Sequence, residues 1–228
     1  MGYVRGLARS AAAAGAKIST NITVQKLKRE NKKWSLQTDK GKVTADTVIL
    51  CTNAYTDKLW PGLQKTFSTI NYFQIATKPM GNRIQNILPG QHGLWDTGKI
   101  MFSLRRDAHN RLIIGSMGTI IGGNGGLSER WATQMLKQIF PNLGAVEFDA
   151  AWTGKIAMTP DHLPRIDRLA SGLYTPIGYN GRGITTGTLF GHAMADLLIA
   201  KKESNLPLLI SEPHTYLGVT AINQFYNL

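Results

Sequence analysis

Residues 172–199, GLYTPIGYNGRGITTGTLFGHAMADLLI, read as a short strand, a glycine turn and a helix. The turn resembles a phosphate-binding loop, yet such a loop normally follows the first strand of its domain and this one lies near the end of the chain. Its late position makes the chain upstream of it decisive.

Upstream, residues 2–14 are alanine-rich, with Val4, Leu7, Ala8, Ala11 and Ala12 at helical spacing and Gly15 as a stop. KISTNITVQKLKREN (17–31) reads as a strand, and KWSLQTDKGKVTADTVIL alternates about a turn at Asp39-Lys40-Gly41. TVILC (47–51) is a short buried run that ends at TNAYT. From about Thr66 the pattern changes to the long β-rich segments TFSTINYFQIATKPM, IMFSLRRDAHNRLIIGSMG and AVEFDAAWTGKIAMT, which predict an antiparallel sheet. A helix over residues 127–140, with Ser128 as its N-cap, interrupts them and ends at Pro141. The expected class is α+β, in three stretches: 1–65, 66–152 and 153–228, the last returning to the first domain.

A chain of 228 residues with 43% apolar composition can bury a core. No apolar run approaches the ~20 residues of a membrane-spanning helix and no secretory signal opens the chain, so a cytoplasmic location is expected. The formal charge of +12 is scattered. Its densest run, QKLKRENKKW (25–34), is broken by Glu30 and reads as the solvated tip between two strands, so no nucleic-acid partner is expected. Cys51 is the single cysteine, and the five histidines show no metal-binding spacing.

Four segments in order, YVRGLARSAAAAGAKI, VILCTNAYTDKLWP, WTGKIAMTPDHLPRID and GLYTPIGYNGRGITTGTLFGHAMADLL, resemble the C-terminal part of flavoproteins of the D-amino-acid oxidase and glycine/sarcosine oxidase superfamily, most of all its gamma-glutamylputrescine oxidoreductase branch. The resemblance implies a partial α/β FAD-binding domain joined to an antiparallel substrate domain. It implies oxidation of an amine or amino-acid C–N bond by hydride transfer to flavin N5, and a small-molecule amine as partner.

It also places the late glycine turn beside the flavin ring, with a helix starting near Thr186-Gly187 directed at the ring's pyrimidine edge. There, unpaired N–H groups and the positive helix end favour the anionic reduced form. The positions carried over to the cofactor are Val24, Thr52, Asn53, Ala54, Gly154, Pro160, Asp161, Gly178, Asn180, Gly181, Arg182, Gly183, Ile184, Thr185 and Thr186. Those carried over to the substrate are Tyr72, Phe102 and Arg105; no catalytic side chain and no metal are expected.

Cys51, expected in a buried strand away from the turn, implies non-covalent FAD. The family begins with a GxGxxG fold for the ADP half of FAD, and no GxGxxG occurs in these residues. The glycine cluster GTIIGGNGGLSE (118–129) reads as a mobile hairpin loop. The 228-residue chain alone is therefore expected to be inactive and not to retain FAD. The alternative is a flavin-free remnant acting as a binding or assembly module, and bared apolar surface makes a homo-oligomer possible.

Overall fold

The structure is a computed structural model and describes residues 2–98, 100–200, 206–219 and 223. The chain divides into two compact units, residues 1–48 with 57–61, and residues 49–56 with 62–228.

In the first unit, helix α1 (Gly2–Ala13) stops before Gly15, whose φ of 96° closes the turn as the sequence predicts. Strands β1 (Val24–Glu30), β2 (Lys33–Thr38) and β3 (Gly41–Ala45) form an antiparallel meander. β1 is shorter than the run predicted from Lys17. Its partner β2 has only six residues, so pairing ends at Val24 opposite Thr38, and upstream Asn21 has turned to φ 55°. The basic tip at Asn31-Lys32 is an exposed turn with both residues at positive φ. Trp34 is buried and meets Trp60 edge to face at 6.1 Å.

The second unit holds two sheets. β4 (Val48–Ile49), through which the chain passes from one unit to the next, is the edge of a four-stranded sheet ordered β12-β10-β11-β4. Here β10 is Arg165–Ala170, β11 is Leu173–Ile177 and β12 is Ile210–Ser211. Helix α3 (Gly183–Ala200) lays Phe190, Met194 and Leu197 on Ile166, an i, i+4, i+7 stripe. The buried run predicted through Cys51 is cut short: the strand stops at Ile49, Leu50 donates to the Tyr174 carbonyl at 2.8 Å, and Cys51 is exposed.

The other sheet is antiparallel throughout, in the order β6-β7-β8-β5-β9, with β5 Ser68–Thr77, β6 Leu94–Trp95, β7 Phe102–Arg106, β8 Leu112–Met117 and β9 Phe148–Met158. One face carries Phe73, Ile75, Phe102, Leu104, Leu112 and Ile114, packed against Ala132 and Leu136 of helix α2 (Leu127–Ile139). The N-cap of α2 is Gly126, not Ser128. Ser128 lies inside the first turn, where its buried hydroxyl accepts the Ile121 N–H at 2.8 Å, while Glu129 accepts the Gly125 N–H at 2.7 Å. These bonds shape residues 118–126 into a strand-to-helix connection rather than a hairpin loop. Among the described residues no helix is long and apolar enough to cross a membrane.

Asp167 on β10 is fully buried. Its Oδ1 accepts the Ser211 hydroxyl at 2.7 Å, and its Oδ2 meets no donor among the described residues. Burial pushes the carboxyl above its usual range, opposed by the Ser211 bond and the Arg165 charge. The folded chain therefore holds this proton more tightly than the unfolded one. This group's contribution to stability is full below the ordinary carboxylate pKa and falls as pH rises from there to the raised folded value. Asp167→Asn should abolish that fall: parent and variant melt alike near pH 3.5, and the variant melts at or above the parent at pH 7. Thermal melts at both pH values check this, and a variant that loses stability only at pH 7 would show that the ionised carboxylate is stabilising.

Candidate functional site

Several segments of the second unit converge around the late glycine turn. Asn53 opens a short 3-10 turn (Asn53–Tyr55) at φ 43° and its Oδ1 accepts the Gly178 N–H at 3.1 Å. That turn is closed by Thr56, whose hydroxyl lies 2.7 Å from Thr52 Oγ1 and 2.7 Å from the Asn53 carbonyl. Ala54 is buried beneath it.

Asn180, at φ 50°, donates its backbone N–H to the Ala157 carbonyl on β9 at 3.1 Å. Its side-chain Oδ1 accepts the Thr159 N–H at 2.8 Å, and its Nδ2 donates to the Gly178 carbonyl. Two asparagines in the left-handed region thus tie the glycine turn to the 53–55 turn and to the end of β9. Strained backbone of this kind persists where the surroundings over-determine it, commonly at ligand sites.

Gly178 has φ 75°, and a Cβ there would enter Thr159 Cγ2. Gly181 has φ 82° and is exposed; a Cβ there would meet only Ile156 Cδ1, at 3.9 Å. Gly154 on β9 would bring a Cβ to 3.6 Å from the Tyr55 hydroxyl, which accepts the Lys155 N–H at 3.1 Å.

Helix α3 starts at Gly183, earlier than the predicted Thr186-Gly187, because Thr186 already donates to the Arg182 carbonyl at 3.1 Å. The N–H groups of Gly183, Ile184 and Thr185 therefore have no carbonyl one turn back within the helix, and all three residues are exposed. Bare glycine backbone beside the unpaired first-turn donors of a positive helix end can take a flat, electron-rich group with anionic character.

Residues 159–163 form a tight turn. His162 donates its backbone N–H to the Thr159 carbonyl at 3.1 Å, sits at φ 56° and is exposed. Asp161 faces Arg165 at 2.9 Å and accepts the Leu163 N–H at 3.2 Å. Desolvation alone would raise its pKa, but the Leu163 N–H and the Arg165 charge leave it below the usual range. Asp161 is thereby engaged in closing its own turn, and Pro160 is exposed beside it.

The sequence reading puts Cys51 away from the glycine turn; in the structure it lies between Leu50, whose carbonyl accepts the Thr175 hydroxyl at 2.8 Å, and Asn53, which accepts the Gly178 N–H. Burial of the Tyr179 hydroxyl, and after it the Cys51 charge, push that phenol up to about 12. The thiol is itself raised by desolvation although the residue reaches the surface, which keeps it protonated and a poor nucleophile at neutral pH.

The predicted substrate residues separate. Tyr72 on β5 and Arg105 on β7 share the sheet face turned away from α2, whereas Phe102 lies one residue out of phase, 9% exposed in the core on the opposite face. Val24 opens β1 in the first unit, half-buried.

Tyr55, Gln74, Ser103 and Trp152, which the sequence reading does not name, lie beside these positions. Gln74 and Ser103 follow from strand periodicity along β5 and β7 once Tyr72 and Arg105 fix the face, and Trp152 from the register of β9 on β5. Tyr72 donates toward Ser103 Oγ at 2.9 Å and the Gly115 carbonyl at 3.1 Å, and Arg105 Nη2 donates to Gln74 Oε1 at 2.9 Å. Burial raises the Tyr72 phenol, the Asp96 charge adds to it, and Ser103 and Arg105 oppose it, so it stays protonated.

The chain is 32% identical over 180 residues to the gamma-glutamylputrescine oxidoreductase of Escherichia coli, covering 75% of this chain and 42% of that protein. It is 27% identical over 212 residues to a probable oxidoreductase, OrdL, of Haemophilus influenzae, covering 89% and 47%. The chain thus spans about half the length of the curated relatives it matches. The fold matches a crystal structure of glycine oxidase from Geobacillus kaustophilus with a TM-score of 0.68 at 22% identity, over 87% of this chain and 53% of that one. The family described as FAD dependent oxidoreductase (DAO) matches residues 1–197. This chain belongs to that family of FAD-dependent oxidoreductases.

Proposed function

We propose that the chain contributes the ring-binding half of an FAD-dependent oxidoreductase that oxidises the C–N bond of an amine or amino acid, of a gamma-glutamylputrescine-like or glycine/sarcosine-like kind. The supporting observation is the joined turn: Asn53 Oδ1 on the Gly178 N–H, Asn180 on β9, and the exposed first-turn donors of α3 behind bare Gly181. Thr52, Asn53, Ala54, Gly154, Gly178 and residues 180–186 would hold the group.

FAD supplies, when bound, a two-electron acceptor for oxidising an amine carbon to an imine. The protein's residues do the rest: they orient the amine over the open sheet face. They also offer α3 donors, each worth about 1.5–3 kcal/mol to a charged oxygen. A cytoplasmic location and association with a small-molecule amine go with this reading.

The 228 residues contain no GxGxxG for a pyrophosphate, so this chain by itself is expected to hold FAD weakly and to oxidise no amine. Titration of the purified chain with FAD tests the proposal. A saturable one-site isotherm weaker than micromolar is expected, further weakened by Gly181→Val, whose backbone cannot keep φ 82° without strain. Micromolar or tighter binding would show that no separate phosphate cradle is needed. Absence of saturation at millimolar FAD would overturn the flavin reading.

A further inference from the structure

Strand β9 is an edge of the five-stranded sheet: β5 lies on one side of it, and among the described residues no strand lies on the other. Its backbone polar groups divide into two sets. The Gly118 N–H donates to the Asn71 carbonyl at 2.8 Å, so Asn71 faces β8 and the alternate residues Tyr72, Gln74 and Ala76 face β9. Their partners Gly154, Trp152 and Ala150 bond to β5, and Lys155, Thr153 and Ala151 turn their N–H and C=O groups outward.

That outward row is closed at one end, where the Tyr55 hydroxyl accepts the Lys155 N–H at 3.1 Å and the Asn180 N–H donates to the Ala157 carbonyl at 3.1 Å. At the other end the register shifts between Ala76 and Thr77, which sets a bulge at Asp149. Between bulge and cap lies a window, Ala151 and Thr153, both exposed, whose outward groups bond to none of the described residues. Sheet edges are normally blunted by Lys, Pro, a bulge or a covering loop. Here such devices stand at both ends of the window and none stands inside it.

The stretch Asp149-Ala150-Ala151-Trp152-Thr153-Gly154-Lys155 is complementary to itself when paired antiparallel about Trp152. In that register Ala151 of each copy exchanges both backbone bonds with Thr153 of the other, so every outward group of both windows is satisfied. Trp152 meets its counterpart in a non-hydrogen-bonded pair, where cross-strand side chains come closest. Its indole stands on the face turned away from α2, 41% exposed, with the small residues Ala150 and Gly154 as same-face neighbours along the strand, which leaves room for a second ring.

At each end of this pairing Asp149 of one copy faces Lys155 of the other, carboxylate against ammonium. Both charges are available for it: the Lys155 ammonium lies 6.0 Å from the Tyr55 ring centre, and Asp149 Oδ1 lies 4.0 Å from Arg111 Nη1.

We infer that two copies of the chain pair antiparallel through β9 about Trp152 and join their five-stranded sheets into one continuous sheet. The two-fold axis closes the interface on itself, so assembly stops at the dimer. One short strand pair with a single aromatic contact at its centre is small for a specific interface, so the dimer forms reversibly in the micromolar range.

Sedimentation of the 228-residue chain over a range of concentrations should show a monomer–dimer equilibrium. Trp152→Ala should raise its dissociation constant by about 10-fold. Thr153→Pro, which removes an outward N–H and leaves every bond to β5 in place, should abolish it. Asp149→Lys and Lys155→Asp each set like charges face to face and should each weaken the dimer when alone. Mixed in equal amounts, the two variants should recover the parental equilibrium as a heterodimer, because opposite charges then face each other at both ends. Pairing of Trp152 should also add to the circular dichroism an exciton couplet that grows with concentration, over a constant contribution from Trp34 and Trp60.

A chain that stays monomeric at millimolar concentration overturns the inference and leaves the edge to a strand of another polypeptide. A dimer untouched by Trp152→Ala and Thr153→Pro, an assembly larger than two copies, or a charge-reversed mixture no tighter than its components would each overturn it as well.

Discussion

Gly178→Val is expected to lower the melting temperature of the chain by about 10 °C. Two costs add at this position. A β-branched residue held at φ 75° costs about 1–2 kcal/mol, and its Cβ would enter Thr159 Cγ2 in a site where nothing can retreat. Thr159 is fixed by its own N–H on Asn180 Oδ1 and by its hydroxyl on the Leu163 carbonyl at 2.8 Å. Relief by moving Gly178 instead would break its bond to Asn53. The sum of about 2–5 kcal/mol corresponds to that shift for a unit of this size. Gly181→Val is the control: its φ of 82° brings the same conformational cost, but its Cβ points into nearly open space. Melting both variants by circular dichroism separates the terms. Equal losses would mean that the contact with Thr159 is not what makes Gly178 necessary.

The sequence made the strand, turn and helix of residues 172–199 legible because local signals coincide there: a β-rich run, three closely spaced glycines and a helical apolar stripe. It also made the change to an antiparallel sheet legible, since long alternating strands need no distant information. The start of α3 was misjudged by one turn. Gly183 and Thr185 are poor helix formers, and only the tie of Asn180 to Ala157 fixes where the turn ends. Ser128 failed as a cap for a related reason: its hydroxyl is taken by Ile121, seven residues upstream, and a bond of that span leaves no mark in local composition. Phe102 lies on the opposite face from Tyr72 and Arg105, which the sequence alone does not reveal: without the register, phase along β7 is not set, and a shift of one residue reverses every side chain. Cys51 depended on where β4 ends, which is decided by the neighbouring Tyr174 carbonyl rather than by the apolar run itself.

Gly115→Ala should be at least as damaging as Gly178→Val, although it adds a single methyl group to a strand. Gly115 sits on β8 between Gln74 of β5 and Ser103 of β7, with neighbours on both sides, so the strand cannot drift outward as an edge strand would. The added Cβ would collide with the Phe73 carbonyl oxygen, lie 2.8 Å from Gln74 Cγ and 3.1 Å from Tyr72 Cε1. The two side chains can rotate away, but the carbonyl cannot without parting β5 from β8. Overpacking of this kind costs about 1–3 kcal/mol, and more where backbone must move. Removing the flexible neighbours as well, in a Tyr72→Ala/Gln74→Ala background, should therefore restore only the smaller part of the lost stability. Full restoration would show that the glycine merely makes room for those side chains. In the single variant the Tyr72 ring can no longer cross β8 to Ser103, and Gln74 is displaced from Arg105. A Gly115→Ala chain that melts with the parent would mean that the Phe73 carbonyl can yield without parting β5 from β8.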